Sequence, residues 1–234
     1  MIKMKKIIYF VIGLVLFSSC GKDNENTMFV KGNIKGLKKG TMYLQKQIDS
    51  LVVSIDSVKV NGTDEFILTD EVTDPEMYYL TLGNSNNKIA FFGEKDTVYI
   101  TSKLDKYVLK AKIRGSENQD LLDQYYEVKG KFNNQNLDLI KAEFEARKSG
   151  NQDSLDLVTK KLKSIVKRKY LYTINFAINN ADHEVAPYVA LTELVDANVK
   201  YLDTINHSLS PKIKKSKYGL QLDKFIVDIK ENEK

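Results

Sequence analysis

Apolar residues crowd the start of this chain and then fall into two different periods. Ile7 to Phe17 is apolar at every position except Gly13. Lys3, Lys5 and Lys6 precede the run, and Ser18, Ser19 and Cys20 follow it at once. A membrane-spanning helix needs about 20 apolar residues, so this shorter run does not read as one. A basic head, a brief apolar stretch and small residues after it read as a secretory signal that is cleaved off.

From Met28 to Gly115 the apolar positions come in short runs bounded by Gly, Asn and Asp. Ser54 to Val60 mostly alternates, as a half-buried strand does. Asn61-Gly62 is a tight-turn signal before Phe66-Ile67-Leu68. Val30, Tyr43-Leu44, Met77 to Leu82, Lys88 to Phe92, Thr97 to Thr101 and Val108 to Ile113 mark the other strands. About eight strands at this spacing predict an antiparallel sandwich or barrel-like sheet. Its expected core is Val30, Tyr43, Ile55, Val58, Phe66, Leu80, Val98 and Ile100.

After Gly115 the spacing becomes helical. Glu117 to Gly130 is expected to be one helix, with Leu121, Leu122, Tyr125 and Val128 on one side. Leu137, Ile140 and Phe144 mark a second, and Ser149-Gly150-Asn151 a break. Leu155, Val158, Leu162, Ile165, Tyr172 and Phe176 keep helical spacing until Asn179-Asn180. Pro187 favours the first turn of a further helix, and Leu222, Phe225, Ile226 and Ile229 share one face of a last one. The fold class is therefore α+β. The expected division is a lipoprotein signal peptide at 1–19, a flexible tether at 20–27, a β domain at 28–116 and a helical domain at 117–234.

Cys20 is the only cysteine in the chain. It stands where a lipoprotein signal peptidase would leave it as the new N-terminus. The site resembles the bacterial lipobox, with Phe17 where Leu is usual. Lipidation at Cys20 is the expected modification, because two or more acyl chains hold a protein firmly to a bilayer. The alternative is an ordinary signal cleaved near Ser19, which leaves a free thiol. Gly21 to Thr27 has no apolar residue and reads as a solvated tether. It also resembles the short charged export tag of surface-displayed lipoproteins in Bacteroidota.

Composition narrows the function further. Removing the three signal lysines from 36 basic residues leaves 33 against 31 acidic ones, so the mature chain is nearly neutral. Nucleic-acid binding needs a concentrated basic face and is not expected. With no second cysteine there is no CxxC pair, internal disulfide or thiolate metal site.

A set of short motifs resembles a known family. They are Val30 to Leu37, Tyr43-Leu44, Asp56 to Val60 with Phe66, Pro75 to Leu80, Thr97 to Ile100 and Ile113 to Gln119. The family is a β domain of unknown function that precedes a thioredoxin-like domain in many lipoproteins of Bacteroidota. Pro187-Tyr188, Leu209-Ser210-Pro211 and Ser216 to Gly219 resemble the linker of the same proteins. In those relatives the redox domain would start about where this sequence stops. No CxxC is present here, so the family's thiol–disulfide activity does not carry over.

Few residues suggest chemistry. Asp182-His183-Glu184 offers two or three metal ligands, but a closed site needs three or four that converge. His207 has no visible partner for nucleophile chemistry. Asp56 and Ser57 sit within a strand, and alternation gives Asp56 an exposed or turn-bonding role. Lys160, Lys161, Lys163, Lys167, Arg168 and Lys169 form the densest basic run. Five of them fall opposite the Leu155–Leu162–Ile165 stripe and Lys169 intrudes on it. That reads as a solvated face, or as a contact for anionic lipid or polysaccharide. Tyr78-Tyr79, Tyr125-Tyr126, Tyr170 and Tyr172 suit core lining, or partner contact.

The expectation is a lipid-anchored cell-envelope protein of the outer membrane that works as a non-catalytic binding or interaction module. Its expected partners are the membrane, through Cys20, and another envelope protein. No catalytic residue, cofactor or metal is assigned. The alternative is an accessory subunit of a separately encoded thioredoxin-like redox enzyme.

Overall fold

The computed structural model describes residues 26–232. The signal segment, the lipidation residue Cys20 and the tether up to residue 25 lie outside the described residues.

Eight strands form two facing sheets. They are β1 (Thr27–Lys35), β2 (Lys39–Ile48), β3 (Leu51–Asn61), β4 (Glu65–Glu71), β5 (Glu76–Leu82), β6 (Lys88–Gly93), β7 (Asp96–Lys103) and β8 (Lys112–Arg114). One sheet runs in the order β4-β1-β7-β8 and the other β3-β2-β5-β6. Pairing is antiparallel throughout except between β1 and β7, which run parallel. Asn61-Gly62 turns β3 toward β4, and Gly62 takes φ +83°, a conformation that costs glycine nothing.

Met28, Val30, Phe66, Leu68, Val98 and Ile100 of one sheet meet Met42, Leu44, Val60, Tyr78, Leu80 and Phe91 of the other in the sandwich core. In β2 the inward residues are Met42 and Leu44, and the expected core residue Tyr43 is only half-buried. Pairing sets this register: Met42 lies opposite Val58 and Leu82, and Leu44 opposite Leu80. A side-chain period of two sends the residue between them to the other face. Val108 to Lys110, expected in the last strand, belongs to the turn that follows the 3₁₀ segment Leu104–Lys106. That turn buries Tyr107, whose hydroxyl donates to the Leu80 carbonyl at 3.0 Å.

The helices are α1 (Glu117–Ser149), α2 (Gln152–Asn179), α3 (Val185–Glu193), α4 (Val199–Ser208), α5 (Pro211–Lys214) and α6 (Lys217–Asn232). Ser116 caps α1, its hydroxyl accepting from the Gln119 amide at 3.0 Å. Helix α1 runs unbroken through Gly130, so the two expected helices are one. Gly150, at φ +66°, ends it, and Asn151 caps α2 through the Ser154 amide at 3.0 Å. The result is a long antiparallel αα-hairpin.

Two further apolar clusters hold the helices. Ile174, Ala177, Ala190, Leu202, Leu222 and Ile226 form one among α2, α3, α4 and α6. The other joins the parts of the chain: Met77 of β5 and Phe92 of β6 pack with Leu122, Tyr125, Phe176, Val189 and Tyr218. Strand β5 is thus covered on both faces, Tyr78 and Leu80 toward the sandwich and Met77 toward the helices.

Candidate functional site

Two openings lie where the second sheet meets the helices. The first is a groove of about 260 Å³ between Met77 and Tyr79 of β5, Tyr188 of α3, and Lys217 and Tyr218 of α6. Tyr188 meets Tyr218 edge-on at 5.3 Å and Phe92 at 5.2 Å. The Tyr218 hydroxyl accepts from the Met77 amide at 3.0 Å, fixing α6 to β5. Burial pushes the Tyr218 and Tyr188 phenols up from their ordinary value.

Beside this groove lies a charged network. Lys46 of β2 binds Asp70 at 2.6 Å and Glu76 at 3.2 Å, and Lys217 binds Glu76 from the helical side. The Tyr78 hydroxyl donates to Asp70 at 2.7 Å. Burial pulls the Lys46 ammonium down, but its bond to Asp70 and the charges of Glu76 and Asp70 outweigh that and hold it above its ordinary value. These partners close on one another, and a satisfied network of this kind specifies how the sheet and helices dock.

The second opening is a cleft of about 370 Å³ at the foot of α1. Five carboxylates line it: Asp74, Glu94, Glu117, Asp182 and Glu184. Among the described residues Lys95 and Lys212 are the ammonium groups that line it, so negative charge prevails. Asn118 is the joint. Glu94 Oε1 accepts from Ser116 Oγ at 2.6 Å, Asn118 N at 2.8 Å and Asn118 Nδ2 at 3.0 Å. Those donors sit at the N-terminus of α1, where the helix dipole also favours an anion. Asn118 Nδ2 also donates to Glu184 Oε2 at 3.2 Å, and Asn118 Oδ1 accepts from the Val185 amide at 2.8 Å.

Glu184 is 2% exposed. Its Oε1 is buried without a hydrogen-bond partner. Among the described residues that oxygen faces one ammonium, that of Lys212, 3.9 Å away on a side chain 78% exposed. A buried carboxylate oxygen left without a donor is costly, and here the surplus negative charge sits in the wall of an open cleft.

The expected site residues are scattered. Asp182, His183 and Glu184 reach this one cleft, but His183 Nε2 faces Glu117 Oε1 at 3.9 Å rather than Glu184. Among the described residues no group of three His, Cys, Asp or Glu is placed to hold a metal ion. His207 Nδ1 lies 2.7 Å from the Asp203 carbonyl on its own helix. Asp56 accepts from the Ser57 and Thr69 amides at 2.7 and 2.8 Å, tying β3 to β4 beside a bulge. Lys160, Lys161, Lys163, Lys167 and Arg168 are exposed and Lys169 is half-buried. Tyr78 and Tyr125 are core, whereas Tyr79 lines the groove. Sequence reasoning missed Asn118 and Glu94 as site residues. The capping pattern Ser116-x-x-Gln119 was the available signal that something docks at this helix start.

Together these features define an α+β protein in which a β-sandwich seats one sheet on a helical unit through aromatic and carboxylate contacts. Residues 28–122 match the family model of DUF4369, a domain of unknown function. The match covers the sandwich from Met28 onward and ends inside α1, so it includes Glu94, Asn118 and Gln119. No curated protein and no solved structure matches the chain. Among the described residues no helix is long and apolar enough to cross a membrane.

Proposed function

We propose that the protein is a lipid-anchored, non-catalytic module of the cell envelope, and that its carboxylate cleft receives a cationic group of its ligand or partner. The observation that carries this reading is Glu184: a buried carboxylate in the wall of an acidic cleft, one oxygen of which has no hydrogen-bond partner among the described residues. An alkylammonium or guanidinium supplies the missing donors and the compensating charge. A metal ion suits the cleft less well, since among the described residues no three ligands converge there.

Two experiments test the parts separately. For the cleft, the amide resonances of Asn118 and Val185 are followed on titration with n-butylammonium and methylguanidinium. Saturable shifts that vanish in Glu184→Gln support the reading, and shifts equal in wild type and variant overturn it. For the anchor, cells are fed a fatty-acid probe. Label on the wild type and none on Cys20→Ser is the expected result, while label that persists on Cys20→Ser removes the anchor. Crosslinking in solubilised envelope then identifies the partner, and recovery of a thioredoxin-like protein would assign the accessory role instead.

A further inference from the structure

The αα-hairpin of α1 and α2 carries an apolar stripe that no described residue covers. Leu137, Ile140 and Phe144 are 62%, 47% and 64% exposed. Their spacing of three and four puts them on one flank of α1. Helical geometry places Val166, also exposed, on the same flank of the hairpin. Measured from the inward residues Leu139 and Ile165, Asp138, Lys161, Ser164 and Arg168 turn to one side at 100° per residue. Those four line a single groove. Ile140, Phe144 and Val166 turn to the opposite side.

Basic residues outnumber acidic ones around that second flank. Lys141, Arg147 and Lys148 border the stripe on α1 and Lys163 borders it on α2, while Lys160 and Lys167 stand on the outer back of that helix. Asp153 and Asp156 are the acidic residues nearest it on α2. On α1, Glu143 is engaged with Arg147 at 2.6 Å. Apolar side chains rimmed by lysine and arginine are the pattern of an element that lies in a membrane interface.

The tether supports the same geometry. Asn26 lines the cleft at the foot of α1 together with Glu117 and Asp182. Five residues separate Cys20 from Asn26, a reach of at most about 20 Å. An acylated Cys20 would hold the root of the hairpin within that distance of the bilayer, and α1 then extends about 50 Å from the root.

We infer that this flank of the hairpin docks on an anionic bilayer surface, with Leu137, Ile140 and Phe144 entering the interface and the surrounding lysines meeting lipid phosphates. The anchor contributes only proximity to this argument, so the test omits it.

The test uses the chain from Gly21 onward, which keeps every core residue, since all three clusters lie between Met28 and Ile229. It is sedimented with vesicles of phosphatidylcholine, with or without phosphatidylglycerol. Binding is expected only to the anionic vesicles, with release as ionic strength rises. Ile140→Glu and Phe144→Glu should each weaken binding about tenfold. Combined Lys141→Glu, Lys148→Glu and Lys163→Glu should abolish it, with the helical circular dichroism unchanged. Equal binding by wild type and variants, or no binding, overturns the inference. So does a concentration-dependent dimer that Phe144→Glu dissolves, which would make the flank an interface between copies.

Discussion

Asn118 shows how much one side chain can hold in place. Its amide reaches both Glu94 and Glu184, and its carbonyl receives the first amide of α3. Asn118→Ala leaves Glu184 Oε2 and the Val185 amide without partners in a buried place. At about 1–3 kcal/mol for each orphaned group, the expected loss is about 2–4 kcal/mol. In a chain of this size that lowers the melting temperature by roughly 5–15 °C. Asn118→Asp should do no better. It keeps an acceptor for Val185 but sets a third carboxylate against Glu94 and Glu184, and like charges oppose ionisation of their neighbours. A thermal melt of both variants checks this, and a stable Asn118→Asp would show that Asn118 is not the joint. Glu184 differs from Asn118 because it has an oxygen to spare. Glu184→Gln is therefore expected to change cation binding far more than stability.

Among the elements, α1 is where sequence and structure part. Glu117 to Gly130 is expected as one helix and Leu137 to Phe144 as a second, and glycine is a poor helix former. Packing against α2 overrides that local preference, as tertiary contacts usually do. The strain-free position of Gly130 gives a prediction. An added Cβ there meets nothing within 4 Å, so Gly130→Ala should stabilise the protein by about 0.5–1 kcal/mol. Denaturant unfolding would show a higher midpoint, and a lower one would mean that the helix needs glycine at that point. Other elements were legible for clear reasons. Strands β3 and β4 have alternation and an Asn-Gly turn, and α2 has over six turns of spaced apolar residues. Helix α4 was not read, since only Leu202 and Ile205 are buried in its ten residues. The junction was legible only in part. Met77-Tyr78-Tyr79-Leu80 does not alternate, and a strand apolar on both faces is one that something covers on both sides. The cleft was hidden because Glu94, Asn118 and Glu184 are far apart in sequence and ordinary in type.

The molecule as a whole joins its two kinds of structure through an apolar seam, and that seam is rich in phenols. Tyr125 and Tyr218 belong to the shared cluster, Tyr188 packs against it, and Tyr78 and Tyr107 are buried in the sandwich. Burial comes first among the causes that raise all five phenols above their ordinary value of 10.0. At Tyr78 the bond to Asp70 and the charge of Glu76 push the same way. Lys46 is also held above its ordinary 10.5. The sign follows directly. Above about pH 10 the unfolded chain gives up these protons while the folded chain keeps them, so the native state binds more protons than the unfolded one. Stability must then fall as pH rises, by about 1.4 kcal/mol per pH unit for each proton retained. Below pH 10 both states hold the protons and the contribution is intact. With five phenols and one ammonium acting together, the expected outcome is cooperative alkaline unfolding that sets in soon above pH 10. Phenolate absorbance from the buried tyrosines should appear together with the loss of helical circular dichroism, and Tyr78→Phe should make the pH dependence shallower by about one proton's worth. Phenolate absorbance that rises fully while the helical signal persists would show that these tyrosines ionise in place, and that the seam is open to water rather than closed by packing.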